Sequence, residues 1–179
     1  MNTELADRYW EIRFVARSRA IYYSRRQLFW TGLEMFAQLG EFVLSTAAFI
    51  ALTRDHATFG MWTAFATSII SFLALWFSAG KRARKCAMMS RDYDLLVADV
   101  PPYYEIQTSE GAEKAKERLD ALRASEGTGL DCLGVACYID ACFEYGAKPQ
   151  WRMSWVERTF GRWLPIRYTP KPETAHSAG

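Results

Sequence analysis

The chain has 179 residues, 23% of them charged and 50% apolar, with a formal net charge of +2. Averages of this kind suit one soluble domain of ordinary size. Two His residues in separate segments, and four Cys residues with no C-x-x-C, exclude a convincing metal triad or Cys-His pair.

The opening, MNTELADRYWEIRF, lacks the short apolar core and cleavage site of a secretory signal, so insertion into a membrane is expected to depend on internal spans. Residues 3–30 read as a helix, with Leu5, Tyr9, Ile12, Ala16 and Tyr23 close to a repeat of three and four. Arg8, Arg13, Arg17, Arg19, Arg25 and Arg26 lie between them. No Pro or Gly precedes Gly32, so this helix is expected to run into the first apolar segment.

That segment, residues 28–53, is interrupted only by Glu34 and Glu41, and residues 57–80 contain no ionisable group. A hydrocarbon core about 30 Å thick needs roughly 20 apolar helical residues. Spans at about residues 30–53 and 58–80 are therefore expected. RDHATFG, residues 54–60, joins them tightly enough for an antiparallel hairpin.

After KRARK the repeat resumes at Cys86, Met89, Tyr93, Leu96 and Val100, and Pro101 and Pro102 end it. This helix and the N-terminal one are expected to extend the hairpin into the cytoplasm and pack there as an antiparallel pair. The predicted fold is an all-α membrane protein, with residues 1–102 as the extended hairpin. Residues 103–148 form a cytoplasmic helical cap, and residues 149–179 a Trp- and Arg-rich tail with a disordered end.

In the cap, residues 108–125 read as a charged helix with Ser109 as N-cap and a narrow stripe of Ala115, Leu119 and Leu122. LDCLGVACYIDACFEYG follows, too short to span and carrying Asp131, Asp140 and Glu144. Its Cys132, Cys137 and Cys142 recur every five residues, which spreads them around a helix as reduced, structural thiols. The tail carries Trp151, Trp155 and Trp163 with Arg152, Arg158, Arg162 and Arg167. It either lies in the membrane interface or packs on the cytoplasmic helices.

Short loops rich in Lys and Arg stay in the cytoplasm. Arg17, Arg19, Arg25 and Arg26 precede the first span, and Lys81, Arg82, Arg84, Lys85 and Arg91 follow the second, whereas the connection holds only Arg54. Both termini are thus expected to be cytoplasmic. These basic residues act as a topology signal or meet acidic lipid head groups. Tyr22, Tyr23, Trp30 and Trp76 would mark the cytoplasmic interface, Phe59 and Trp62 the opposite one.

Within the first span Gln27, Thr31, Glu34, Gln38, Glu41 and Ser45 are spaced 4, 3, 4, 3 and 4, on a single helical face. Ionisable groups are costly against lipid and face a bundle interior or a wet cavity. A single partner helix has few groups to meet two carboxylates, so the stripe predicts a homo-oligomer gathered around it. It lines a cation-preferring path, or Glu34 lies near the inner head groups and Glu41 is hydrogen-bonded in the helix interface. On the second span Gly60, Ala64, Thr67, Ser71, Ala74 and Ser78 form a small-residue packing face. No catalytic constellation, cofactor motif or nucleic-acid motif is present, so neither an enzyme nor a nucleic-acid binder is expected.

The order of features, RYWEIRFVARSRAIYYSRR, two closely joined spans, a basic flank and a helix ending in SRDYDLL, resembles the SLATT domains over about residues 5–100. These are two-span effector domains of bacterial conflict systems. The resemblance implies an oligomeric membrane effector that forms pores when a partner senses phage. The other expectation is a non-conducting membrane anchor or accessory subunit that docks a cytoplasmic partner protein.

Overall fold

The computed structural model describes residues 3–53, 57–101, 108–127, 129–151, 153–154, 157 and 168. It is all-helical: α1 (Thr3–Thr53), α2 (Ala57–Phe77), α3 (Ala79–Asp99), α4 (Ser109–Ala124) and α5 (Asp131–Glu144). The chain divides into two compact units, one of Met1–Ser24 with Met88–Gly179, the other of Arg25–Ala87. This division crosses α1 and α3, because α4 and α5 pack on residues before Arg25 and after Ala87.

In the first unit α1 is the common partner of the other three helices. It runs antiparallel to α3: Ser90 Oγ donates to the Ala20 carbonyl at 3.1 Å, and Tyr23 stacks on Tyr93 with ring centroids 6.0 Å apart. Met89, Tyr93, Leu96 and Val100 are all buried, as their three-and-four spacing requires of a helix covered on one side. Tyr9 Oη reaches the Thr108 carbonyl at 2.8 Å, tying α1 to the start of α4. Tyr22 Oη accepts from the Leu130 amide at 2.8 Å, just before α5. Two tyrosine hydroxyls from one helix thus fix the entries of two others.

The N-cap of α4 is Thr108, not Ser109. Thr108 is extended, with φ −116° and ψ 146°, and its side chain accepts from the Gly111 amide, whereas Ser109 is already helical. Ala112 and Leu119 are the buried residues of this helix, and Ala115 and Leu122 are half-buried. On α5, Cys132, Cys137 and Cys142 are each 1% exposed or less. Steps of five residues turn successive thiols by about 140°, so their joint burial means that α5 is covered on several sides. It ends in a Schellman motif: Gly146 sits at φ 67°, and the Ala147 amide bonds to the Cys142 carbonyl at 2.8 Å. Trp151 packs against Tyr138 at 5.2 Å, so this part of the tail lies on the helices. Trp155, Trp163 and the arginines Arg152, Arg158, Arg162 and Arg167 lie outside the described residues.

In the second unit the later part of α1 and α2 pack antiparallel. Ser71 Oγ donates to Glu41 at 2.7 Å, and a Cβ added to Gly40 would stand 3.7 Å from the Ile70 side chain, an ordinary contact. The helix expected to continue from α2 through residue 80 is broken instead at Ser78. This residue has φ 45°, a left-handed conformation costing a non-glycine residue roughly 1–2 kcal/mol. Its carbonyl accepts from the amides of Lys81 and Arg82, opening α3. Arg54 and His56, expected in the connection between the two helices, lie outside the described residues.

Among the described residues one helix is long and apolar enough to cross a membrane by length and composition, and none of its apolar window is buried. A second apolar stretch, Thr58–Leu73, is shorter.

Candidate functional site

The polar stripe of α1 does not behave as one surface. Gln27, Glu34 and Glu41 are half-buried, while Thr31, Gln38 and Ser45 are exposed. At 100° per residue Glu34 and Glu41 lie nearly over one another, and Thr31, Gln38 and Ser45 are turned about 40° away. Of the first set, Glu34 and Glu41 meet neighbouring helices of their own chain. The second forms an edge beside them.

Glu41 accepts a hydrogen bond from the Ser71 hydroxyl, the contact that joins the stripe to α2. The other hydroxyls of α2 act locally. Thr63 donates to the Gly60 carbonyl at 2.9 Å, Thr67 to Thr63 at 2.8 Å and Ser68 to Ala64 at 3.0 Å. Of the small-residue set, Gly60 is buried, Thr67, Ser71 and Ser78 are half-buried, and Ala64 is exposed. Thr63, only 8% exposed, faces inward instead of Ala64. The side chain of Ala74 lies outside the described residues.

Glu34 lies against Gly80, the second residue of α3, so closely that a Cβ on Gly80 would collide with the carboxylate. The first turn of a helix presents unsatisfied amides and a partial positive charge, which suits a carboxylate there. Arg82, one turn into α3, places its guanidinium 4.9 Å from the centre of the Trp30 ring. Glu34 and Glu41 are seven residues apart, about 10 Å along the helix. They meet different partners and do not form an acid/base pair.

Two of the basic residues expected at head groups are engaged by protein carboxylates. Arg17 Nε bonds to both oxygens of Glu144 at 3.0 and 3.1 Å, and its Nη1 reaches Asp94 at 3.2 Å. The Glu144 hydrogen bond raises the Arg17 pKa further above its ordinary value. Arg19 pairs with Glu126 at 3.5 Å. The side chains of Arg25 and Arg26 are half-buried, and Lys81, Arg82, Arg84 and Lys85 are exposed.

Burial pushes the Cys86 thiol up, opposed by Arg26 and Lys85, and also raises Cys132. Thiols held neutral in this way are poor nucleophiles. Among the described residues no group of His, Cys, Asp and Glu is arranged to hold a metal ion.

Periodicity located the stripe and counted Ser78 in the packing face, but it marked neither Gly80 as a contact nor the left-handed turn at Ser78, and it put Ala64 on that face where Thr63 is buried. Gly80 follows directly on an apolar run, and nothing in its neighbours marks Glu34 as its partner. No protein-family model matches the chain, and no curated protein or solved structure matches it either.

Proposed function

We propose that the chain is a homo-oligomeric protein of the bacterial inner membrane that inserts as a two-span hairpin through α1 and α2 and perturbs the membrane as a pore. The supporting observation is the inverted polarity of the unit Arg25–Ala87. Phe36, Phe42, Trp62 and Trp76 are 67–77% exposed, whereas Thr63 is buried and Glu41 bonds to the neighbouring helix. In water such an apolar surface would drive aggregation; in hydrocarbon it is the favourable arrangement. The basic residues flanking the two helices fit cytoplasmic termini. A role in anti-phage defence follows from the resemblance to SLATT domains. Induced expression should collapse the membrane potential, read with a potential-sensitive dye. An unchanged potential in cells carrying well-expressed, inserted protein counts decisively against a pore.

A second reading is a non-conducting anchor or accessory subunit that docks a cytoplasmic partner. It is favoured by the contacts of Glu41 with Ser71 and of Glu34 with Gly80, which give both carboxylates a structural role. It predicts a stoichiometric heterologous protein after purification in mild detergent, and partner docking that tolerates substitution at Glu34 and Glu41 even where stability falls. Neither reading assigns the chain a catalytic activity or a cofactor.

A further inference from the structure

The stripe on α1 belongs to a longer pattern. Leu28, Thr31, Met35, Gln38, Phe42 and Ser45 are spaced 3, 4, 3, 4 and 3, the a/d repeat of a helix seam. All six are exposed, Leu28 and Phe42 at 70% and Met35 at 57%. The half-buried residues Glu34, Ala37, Glu41, Leu44 and Ala48 carry the same alternation of 3 and 4. These five make the intramolecular face, from which the exposed seam is rotated by about a third of a turn. Large apolar side chains at one heptad position thus alternate with Thr, Gln and Ser at the other, and α2 covers neither.

Gln38 decides what covers this seam. Its side chain makes no hydrogen bond among the described residues, and it lies near the middle of the apolar stretch. Ser45 bonds to its own helix at the Phe42 carbonyl, which satisfies a hydroxyl at any depth. A primary amide has two donors and two acceptor lone pairs and no such local outlet. Lipid tails offer nothing to it. An identical amide offers both what it lacks, because donor and acceptor exchange across a symmetry axis. Polar groups of this kind are the hydrogen-bonding contacts found between membrane helices, and a single polar residue in a heptad seam sets register.

We propose that α1 packs against α1 of a second copy through this seam, with Gln38 paired to Gln38, while Glu34 and Glu41 remain turned to their own chain. This rests on the membrane-hairpin reading above and corrects where the assembly's contacts lie. Neutral amides and hydroxyls, not a ring of carboxylates, then stand where copies meet.

Cysteine cross-linking of the full chain in membrane vesicles tests this, with the mass of the detergent-purified particle measured in parallel and the unsubstituted chain as the background of its own buried thiols. Gln38→Cys and Ser45→Cys should give a disulfide-linked dimer on mild oxidation, and Phe36→Cys and Val43→Cys, on another exposed side of α1, should not. Gln38→Leu should retain full helix content and shift the particle towards monomer. Cross-linking confined to positions 36 and 43, or none in a particle larger than a monomer, overturns the seam and leaves the oligomer intact. A cross-linked product with the mass of a different protein overturns the second copy as its occupant. A monomeric particle without cross-links overturns both the seam and the homo-oligomer.

Discussion

Glu34 rests its carboxylate on the bare α-carbon of Gly80, and the two residues are mutually dependent: the glycine leaves the room and the carboxylate fills it. The contact falls at the first turn of α3, directly after the left-handed Ser78. An apolar helix and the start of a basic one are thereby held at a break that neither apolar run foretells.

Gly80→Ala should preserve the fold, because the colliding atoms are the far end of a flexible side chain. It should displace Glu34, losing about 0.3–1 kcal/mol of charge–dipole interaction against a helix-propensity gain of about 1 kcal/mol. The same substitution in a Glu34→Ala background should be plainly stabilising. Thermal unfolding of the four members of this cycle in detergent measures the coupling, and strict additivity would sink the contact.

Ser71→Ala should destabilise the hairpin by about 1–3 kcal/mol, since it strips the Glu41 carboxylate of the hydroxyl that meets it. Glu41→Gln retains an acceptor for Ser71 and should cost less. Equal losses from the two substitutions, read by denaturation in detergent, would show that the hydrogen bond is not what matters at this pair.

Ser78→Gly should stabilise the protein by about 1 kcal/mol, because glycine adopts the left-handed conformation without a Cβ penalty. Ser78→Val should be destabilising, as a β-branched residue at positive φ is more strained still. The order of melting temperatures, glycine above serine above valine, is the readout.

Tyr93 is fully buried and donates to Glu126 at 2.7 Å. Burial first, then this hydrogen bond, raises its pKa above the ordinary tyrosine value. The unfolded chain therefore loses the phenolic proton at lower pH than the folded one. Stability from this source is complete below about pH 10 and is lost as pH rises through the folded-state value. Tyr93→Phe should cost about 1–2 kcal/mol at neutral pH and flatten the alkaline fall in stability, as followed by helix content between about pH 8 and pH 11.

The amino-acid sequence carries the helices and much of what each buries. Burial leaves a period in the chain, and Met89, Tyr93, Leu96 and Val100 are buried as their spacing requires. It shows also that residues 28–53 and 57–80 are too apolar to be an ordinary surface, because charge is either present in a stretch or absent from it. Long-range packing sets how the polar stripe is shared, with Glu34 and Glu41 turned inward and Thr31, Gln38 and Ser45 left at an edge. It decides also that Arg17 and Arg19 meet Glu144, Asp94 and Glu126, and that three cysteines pointing in different directions are all covered. The physical reason is the same in each case. A helical repeat records which face of a helix is covered, whereas the partner that covers it comes from a distant part of the chain. Gly80 meets Glu34, Ser71 meets Glu41 and Glu144 meets Arg17 because of folding, and no local pattern specifies those pairings.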